Sequence, residues 1–350
     1  MGRPVLRTSY GWQASFQLPA SSSQLPGFQL PASSFLLPAY TEAVKLPSRA
    51  TVVEVGPRDG LQNEPAAIST ADKIAFVDRL TAARLTVIEV SAFVSPKWVP
   101  QMADAPEVFA GISRAAGTRY AALVPNLTGL ERAHAAGVRE VGIFAAASET
   151  FSRKNINQSI DASLEIYRAV CARAAELGIR VRGYVSTAFG CPFEGEVPVS
   201  RVADVAAALF TMGAFEVAIS DTIGIAHPGQ VPGVVEAVAH RIPLDAVALH
   251  FHDTRGTALA NVLTALNLGV ATFDASAGGL GGCPYAPGAT GNLATEDLIY
   301  MLDGLGIETG VDLQALVDAS AFIESRVGHP LPSRYYRAIQ GFKEIQGFKD

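Results

Sequence analysis

Two histidines of this sequence stand two residues apart, as His250-Phe251-His252, inside a short apolar run. On a β-strand this spacing places both imidazole rings on one face. Two imidazole nitrogens, a carboxylate from Asp59 and an amide oxygen from Asn292 would form a mixed ligand set that suits Mg²⁺ or Mn²⁺ and tolerates Zn²⁺ or Co²⁺. The pattern predicts a divalent-cation site, and the alternative for an HxH pair is two hydrogen-bonded core histidines.

A fixed positive charge, Arg58, stands next to the predicted ligand Asp59. A guanidinium keeps its charge in proteins and can stabilise a developing oxyanion, although an ion pair at the rim of the fold is the alternative. Glu89 lies inside an apolar run, where a carboxylate is costly to bury unless Arg58 or a metal-bound water pairs with it. Asp221 follows another apolar run, and the sequence leaves open whether it supports the histidines from behind or moves a proton.

A single cysteine, Cys283, lies in a glycine-rich stretch that has six glycines in the fifteen residues 278–292. Such a composition is typical of a mobile flap rather than of packed structure. A cysteine on a flap over a cationic site can exchange a proton with a reacting carbon. Cys191 could line the same pocket, but we interpret it as a packing residue.

Short β-branched runs alternate with longer runs of helical periodicity from residue 50 onward. The predicted strands are Thr51–Val55, Thr86–Val90, Arg119–Val124, Glu140–Phe144, Arg180–Ser186, Phe215–Ser220, Ala246–Phe251 and Thr272–Ser276. The predicted helices include Thr70–Ala83, Ala162–Leu177, Val202–Met212, Pro228–Arg241, Thr257–Leu268 and Leu293–Leu305. Most helices end on a glycine, as at Gly137, Gly178, Gly213 and Gly269, which is typical of a left-handed helix C-cap.

Strands that are apolar at nearly every position are typical of a parallel sheet covered by helices on both faces. Eight βα units in about 260 residues match the size of a TIM barrel, so we predict an α/β fold, a (β/α)8 TIM barrel with a Gly-rich cysteine flap after the eighth strand. A doubly wound open sheet is the alternative, but no GxGxxG follows the first strand. The chemistry of a TIM barrel sits where strands end, and the polar residues above fall at five such ends.

The composition restricts the class of protein further. The 350 residues, 49% of them hydrophobic, suffice to bury a core, and the net charge of −6 argues against nucleic acid or an anionic membrane as the main partner. No apolar run approaches the roughly 20 residues of a membrane span. The three cysteines form no CxxC pair, which excludes a disulfide scaffold and fits a reducing compartment.

Residues 1–47 differ from the rest, with six prolines and only one acidic residue. Prolines at this spacing block helices and central strands, so we predict a disordered Pro/Ser-rich extension before a folded domain at 48–350 that ends in a helical tail. A cytoplasmic protein is expected. A transit peptide, which would indicate the mitochondrial matrix, and a start codon assigned too far upstream are the alternatives.

Three stretches of the sequence resemble one known family. Residues 53–64 read VEVGPRDGLQNE, residues 93–102 read FVSPKWVPQM, and residues 278–292 read GGLGGCPYAPGATGN. Together they resemble 3-hydroxy-3-methylglutaryl-CoA (HMG-CoA) lyase, over about residues 50–328. More widely, the chain is similar to the metal-dependent TIM-barrel lyases and Claisen-type synthases, which share the Arg-Asp pair, the HxH and a Glu.

The resemblance implies a lyase domain that cleaves HMG-CoA to acetyl-CoA and acetoacetate, in leucine degradation or ketone-body formation, and it implies a homodimer. The divalent cation, Mg²⁺ or Mn²⁺, would be bound by Asp59, His250, His252 and Asn292. The implied catalytic residues are Cys283, which would protonate the enolate carbon, Arg58, Glu89 and Asp221. The implied substrate-binding residues are Arg58, Gln62, Tyr184, Thr222, Lys154 and Asn155. The last two would meet CoA, and a solvated helix N-terminus is their alternative.

Three positions depart from the family's pattern. Pro65 stands where such lyases tend to carry Lys, so any role of that charge is absent here. Phe251 replaces a cysteine of the animal pattern and should point away from the metal. The C-terminal Phe348-Lys349-Asp350 is not a peroxisomal signal.

Three alternative functions remain at this point. A Claisen synthase that joins acetyl-CoA to a 2-keto acid would use the metal and Arg58 but has no need for Cys283. A barrel retained only for metal binding or assembly would be expected to have a degraded site. A lyase for a related 3-hydroxyacyl-CoA would differ only in the shape of the pocket.

Overall fold

The structure of the protein is a computed structural model that describes residues 46–282 and 291–347, with side chains described as far as residue 342. Cys283, much of the predicted flap and nearly all of the predicted N-terminal extension lie outside the described residues. Among the helices that the structure describes, none is long and apolar enough to span a bilayer.

Eight parallel strands close into a barrel in chain order, and the closing pair is formed by the first and the last strand. In that pair Val53 lies opposite Asp274. The strands are β1 Thr51–Glu54, β2 Val87–Ala92, β3 Arg119–Leu123, β4 Glu140–Ala146, β5 Arg180–Ser186, β6 Ala214–Ser220, β7 Val247–His250 and β8 Thr272–Ala275. The predicted (β/α)8 TIM barrel is confirmed.

Helices follow the strands along the chain. Those described are α1 Thr70–Ala82, α2 Ala105–Gly111, α3 Leu127–Ala135, α4 Glu149–Ile156, α5 Ile160–Glu176, α6 Val199–Thr211, α7 Val231–Ala239, α8 Ala258–Asn267, α9 Thr295–Gly304, α10 Leu313–Val327 and α11 Arg334–Gly347. The predicted glycine caps at 137, 178, 213 and 269 all have positive φ, between 64° and 110°, which confirms that these turns need a residue without a Cβ.

Several predicted helix boundaries were wrong, because capping residues and turns were overlooked. The side chain of Ser159 accepts a hydrogen bond from the backbone of Ala162, so α5 begins two residues earlier than predicted. The helix α6 begins three residues early, directly after Pro198. The helix α7 begins late, because Gln230 N–H donates to His227 C=O at 2.9 Å in a separate turn.

Two predicted strand ends near the site also need correction. β7 ends at His250, so Phe251 and His252 lie beyond it, in a segment whose backbone pairs with residues 291–293 instead. Leu293 N–H donates to Phe251 C=O at 3.0 Å across this pairing. β2 extends to Ala92, so Glu89 lies within the strand, beside a bulge, rather than at its end.

One continuous apolar core packs the strands against the helices, with Ile88 of β2 and Phe76 and Leu80 of α1 fully buried in it. Several buried residues on the strands are nevertheless charged, such as Glu54, Glu89 and Arg182. Charged groups are costly to bury unless they are paired or hydrogen-bonded, so their partners determine what this barrel can do.

Glu54, at the end of β1, is fully buried beneath two of the loops that follow strands. Its carboxylate accepts hydrogen bonds from Gly56 N–H at 2.8 Å, Ala277 N–H at 2.9 Å and the Thr295 hydroxyl at 2.7 Å. Burial raises the pKa of Glu54 to about 7, against the lowering effect of these hydrogen bonds. One carboxyl group thus joins the loop after β1 to the turn after β8.

Glu296, in the first turn of α9, is also fully buried. It accepts a hydrogen bond from Gly278 N–H at 2.9 Å and one from the hydroxyl of Ser320 on α10. Burial raises the pKa of Glu296 to about 7, and the nearby Glu54 contributes in the same direction. The turn after β8 is therefore held by two carboxyl groups that both bind protons more tightly than in the unfolded chain.

These raised pKa values predict that stability falls as the pH rises. A carboxyl whose pKa is raised from 4.5 to about 7 by folding contributes stability below about pH 4.5 and loses it as the pH rises through 7. The change has an upper limit of roughly 3 kcal/mol per group. We expect the melting temperature of Glu296→Gln, measured in EDTA from pH 5 to pH 8, to fall less with pH than that of the wild type. Glu165→Gln, at an exposed position of α5, is the control, and parallel curves for all three proteins would contradict the assignment.

Candidate active site

The predicted metal ligands Asp59, His250 and His252 come together at the end of the barrel where the strands terminate. One potential ligand atom from each lies within 4.8 Å of the other two. His250 is the last residue of β7, and the two imidazole ring centres are 5.2 Å apart. Asp59 lies in a short helical turn, Gly56–Gly60, rather than in β1 itself. The barrel thus brings together residues almost 200 positions apart in the chain.

Asn292, the fourth predicted ligand, pairs with His252 in an isolated antiparallel bridge. Its Nδ2 donates to Asp59 Oδ2 at 3.0 Å and to Leu280 C=O at 3.1 Å. The Oδ1 of Asn292 and the Nδ1 of His252 are buried and accept no hydrogen bond from any described residue. Unsatisfied buried acceptors beside a carboxylate are what a cation would satisfy, so these residues fit a divalent metal ion.

The electrostatics of the ligands also suit a cation. Burial would raise the pKa of Asp59, but Arg58 and the two histidines outweigh it and hold this pKa well below its usual range. Burial and the neighbouring His250 lower the pKa of His252 to about 4. At neutral pH the site therefore offers an ionised carboxylate and a neutral imidazole, the forms that bind metals.

Asp274 on β8 orients the ring of His250 by a contact with its Nδ1. Asp274 Oδ2 lies 3.2 Å from His250 Nδ1, which leaves Nε2 as the ring nitrogen that can face a metal. Although burial opposes it, Asp274 raises the pKa of His250. Arg182 of β5 in turn binds both oxygens of Asp274, at 2.8 and 3.1 Å, and donates to Glu216 at 2.7 Å.

Sequence reasoning missed Arg182 and Asp274. Both are nearly fully buried and both interrupt strands that are otherwise largely apolar, which is the same signal that singled out Glu89. A charged residue inside an apolar strand needs a partner, but the sequence does not show that Arg182 on β5 and Asp274 on β8 are partners of each other.

The predicted pairing of Arg58 with Glu89 is confirmed. Arg58 Nε and Nη2 lie 2.7 and 2.6 Å from Glu89 Oε2, and Arg58 Nη1 lies 2.5 Å from Asp59 Oδ1. Tyr184 donates to the other oxygen of Glu89 at 3.4 Å and accepts from Arg182 Nη1 at 2.8 Å. Although burial opposes it, Glu89 and Asp59 raise the pKa of Arg58, so its charge is permanent.

Asp221, for which the sequence left two roles open, holds the loop that follows β6. Its carboxylate accepts hydrogen bonds from Ile225 N–H at 3.0 Å and Ala226 N–H at 3.1 Å, while its own N–H donates to His250 C=O at 2.8 Å. Burial raises the pKa of Asp221 to about 6 despite these hydrogen bonds. It supports β7 through the backbone, and its role in moving a proton stays a prediction.

The remaining predicted residues lie on segments that follow β1, β4 and β6, at the same end of the barrel. Thr222 accepts a hydrogen bond from Thr187 N–H at 2.7 Å, and Gln62 is half-buried in the β1 loop. Lys154 and Asn155 lie on α4, where the ammonium of Lys154 stacks 4.6 Å from the centre of the Phe193 ring. Their contacts with substrate stay predictions.

The two cysteines of interest have different outcomes. Cys191 is buried, its sulfur lies 3.0 Å from the Ser148 hydroxyl, and it accepts hydrogen bonds from Phe193 and Glu194 N–H, which confirms a structural role. Cys283 lies outside the described residues, so its predicted role is untested.

Comparison with known proteins identifies the family. Residues 49–323 match the model of the HMGL-like family. The chain belongs to this family. It is 54% identical over 296 residues to the 3-hydroxy-3-isohexenylglutaryl-CoA/hydroxymethylglutaryl-CoA lyase of Pseudomonas aeruginosa, an alignment covering 85% of this chain and 99% of that protein. It is 53% identical over 293 residues to the mitochondrial hydroxymethylglutaryl-CoA lyase of Homo sapiens, covering 84% and 90%.

The fold of this chain also resembles that of a solved HMG-CoA lyase. The HMG-CoA lyase of Acinetobacter baumannii in complex with coenzyme A and 3-methylmalate superposes with a TM-score of 0.80 and 39% identity, covering 83% of this chain and 95% of that one. The resemblance to HMG-CoA lyases found in the sequence is thus confirmed, and with it the class of enzyme, a carbon–carbon lyase.

The hydrogen bonds behind the metal ligands predict graded losses of metal affinity. We expect Asp59→Asn to abolish Mn²⁺ binding measured by isothermal titration calorimetry. Asp274→Asn should weaken it by about 10–100-fold, since loss of an outer hydrogen-bond partner typically costs that much. Asp245→Asn, an exposed position at the opposite end of the barrel, is the control. Equal affinities for the Asp274 and Asp245 variants would show that Asp274 does not orient His250.

Proposed function

We propose that the protein cleaves HMG-CoA to acetyl-CoA and acetoacetate in a metal-dependent retro-Claisen reaction. The observation that carries the proposal is the contact of 2.5 Å between Arg58 Nη1 and Asp59 Oδ1. It places a permanent positive charge beside a cluster of metal ligands, in a chain of the HMGL-like family. A metal site alone could serve many reactions, whereas a cation and a guanidinium side by side suit a substrate with two oxygens on adjacent reacting groups.

Asp59, His250, His252 and Asn292 would hold the cation, for which we propose Mg²⁺ or Mn²⁺. When bound, such an ion supplies Lewis acidity, which makes a coordinated hydroxyl easier to deprotonate. The protein's own contribution is to keep Asp59 ionised and His252 neutral at neutral pH. It does so because the surroundings hold the pKa of each group below its ordinary value.

The cleavage itself is balanced without water or a further co-reactant. The C3 hydroxyl of the substrate gives up its proton, the C2–C3 bond breaks, and C3 becomes the ketone carbon of acetoacetate. The electron pair of the broken bond passes to C2 as the enolate of acetyl-CoA, and C2 then takes up one proton. The enzyme therefore needs a proton acceptor, a stabiliser of the enolate oxygen and a proton donor.

Arg58 would stabilise the enolate oxygen. Three of its five N–H groups are used by Glu89 and Asp59, which fixes the plane of the guanidinium and leaves two N–H groups for a substrate. Glu89, held by Tyr184, keeps this orientation. A donor that is already oriented needs no reorganisation when negative charge develops, which is how such groups accelerate reactions.

We assign the two proton transfers to Asp221 and Cys283. Burial places the pKa of Asp221 at about 6, close to the range in which a general base is effective. Cys283 would protonate the enolate carbon, an assignment that rests on the similarity of residues 278–292 to HMG-CoA lyases.

The acyl-CoA chain would extend over Gln62, Tyr184, Thr222, Lys154 and Asn155, and we propose a homodimer located in the cytoplasm or the mitochondrial matrix. A coenzyme A complex of a solved relative supports the ligand class.

A second substrate is favoured by the name of the Pseudomonas aeruginosa relative, which also acts on 3-hydroxy-3-isohexenylglutaryl-CoA. We therefore propose a branched 3-hydroxyglutaryl-CoA with a longer C3 substituent as the alternative substrate.

A product assay tests the reaction. We expect purified protein with Mg²⁺ or Mn²⁺ to release acetoacetate and acetyl-CoA in equal amounts from HMG-CoA, and EDTA to abolish the activity. Arg58→Lys should lower kcat by about 10²–10³-fold, the typical cost of losing one oxyanion donor. Arg241→Lys, an exposed position after α7, is the matched control. No cleavage by metal-loaded, folded protein would contradict the proposed function.

A cysteine variant separates the lyase from a Claisen synthase. We expect Cys283→Ala to reduce kcat for HMG-CoA cleavage by about 10²–10⁴-fold, as for loss of a general acid, whereas Cys171→Ala in α5 should not. Full activity of Cys283→Ala, together with thiol release from acetyl-CoA and a 2-keto acid, would instead support the synthase.

A further inference from the structure

Residues 329–334, His329-Pro330-Leu331-Pro332-Ser333-Arg334, connect α10 to α11 and lie beyond the part of the chain that matches the family model. Gly328, with φ of 77°, ends α10 in the left-handed conformation and turns the chain back over the barrel. This segment then contacts, one after another, three of the loops that carry site residues.

The first contact is with the loop after β1. His329 Nε2 lies 2.8 Å from Glu64 Oε2, and the side chain of Glu64 is only 7% exposed. The hydrogen bond with Glu64 raises the pKa of His329 although burial opposes it. Glu64 lies within the same connection between β1 and α1 that carries Arg58 and Asp59, so His329 anchors that loop.

The second contact is with the turn after β8. Ser333 N–H donates to Gly278 C=O at 3.0 Å. A Cβ on Gly278 would lie 2.2 Å from Leu331, and one on Gly279 would lie 2.9 Å from Pro332. The side chains of Leu331 and Pro332 can pack this closely against the turn only because these two positions, both with positive φ, are glycine.

The third contact is with the loop after β7. Arg334 Nη1 lies 2.8 Å from Asp253 Oδ2, and Asp253 directly follows His252. The backbone of Asp253 also donates to Gly291 C=O at 3.0 Å, next to Asn292. Arg334 therefore contacts the residue that joins two of the metal ligands.

The segment 329–334 is itself hydrogen-bonded to two helices, α9 and α10. Asp297 of α9 accepts hydrogen bonds from the Ser333 hydroxyl at 2.8 Å and from Arg334 N–H at 3.1 Å. Glu324 of α10 accepts one from Leu331 N–H at 2.9 Å. Contacts to the loops on one side and to two helices on the other allow this segment to transmit the rigidity of the helices to the loops.

We propose that residues 329–334 are a brace that positions the β1, β7 and β8 loops relative to one another, with His329 and Arg334 as positioning residues. The proposal rests on the proposed function in that these loops hold the metal ligands and Arg58. The four proposed ligands come from three separate βα segments, those of β1, β7 and β8, and misplacement of a site group by 1 Å can cost about a hundredfold in rate. The brace removes that freedom without touching the reacting atoms.

The test combines hydrogen–deuterium exchange with metal binding, in the absence of substrate. In the full-length His329→Gln/Arg334→Gln variant we expect faster exchange in peptides covering 56–64 and 250–256, unchanged exchange in β5 and β6, and Mn²⁺ affinity roughly tenfold lower. Arg334→Lys should restore most of the affinity lost in Arg334→Gln. His240→Gln and Arg337→Gln, both exposed, should match the wild type in every readout.

The outcomes separate this proposal from the proposed function. Both substituted side chains are more than 40% exposed, so the variants should fold. Loop exchange and Mn²⁺ affinity within twofold of the wild type would overturn the brace, and so would faster exchange throughout β5 and β6, which would indicate a general stabiliser. Failure of wild-type protein to cleave HMG-CoA would contradict the proposed function while leaving the exchange and Mn²⁺ results to decide the brace.

Discussion

The candidate site depends on one buried ion pair inside the barrel, between Arg182 and Asp274. Arg182 of β5 binds both oxygens of Asp274 of β8 across the barrel interior and also donates to Tyr184. Through Asp274 it reaches His250, and through Tyr184 it reaches Glu89 and hence Arg58. Because a guanidinium cannot lose its proton to escape burial, every one of these partners must be in place for the interior to be stable.

The charge balance of this interior explains why it suits a cation. Two guanidiniums, Arg58 and Arg182, face four carboxylates, those of Asp59, Glu89, Asp274 and Glu216. Of these carboxylates, Asp59 lies at the candidate metal site, where the neighbouring His252 is neutral because burial lowers its pKa. Stability and metal binding are therefore linked, since a bound cation completes the same set of ion pairs that fixes the strands.

The barrel and the positions of its candidate site residues were largely predictable, because both depend on local patterns. Alternating apolar runs and glycine caps indicated eight βα units, and in such a fold polar residues at strand ends must meet at one end of the barrel. The contacts of Arg58 with Glu89 followed from the need of a buried carboxylate for a partner.

The sequence did not reveal the contacts between residues that are far apart in the chain and that only the closed barrel brings together. His252 lies beyond β7 because its segment pairs with residues 291–293, and Arg182 meets Asp274 across the barrel. The brace was missed for the same reason, since nothing in His329 or Arg334 themselves indicates Glu64 or Asp253 as partners. Pairings between residues far apart in the chain are specified by the closed fold, and no local pattern encodes them.

The pairing of β1 with β8 has a consequence for biosynthesis. The proposed metal ligand Asp59 follows the first strand, whereas the other three proposed ligands, His250, His252 and Asn292, belong to the last two βα units. A nascent chain on the ribosome that has not yet produced β7 contains one of the four ligands. The complete set of proposed ligands can therefore form only after synthesis of the barrel is nearly complete. Binding of a cation by that set would require that β1 has already paired with β8.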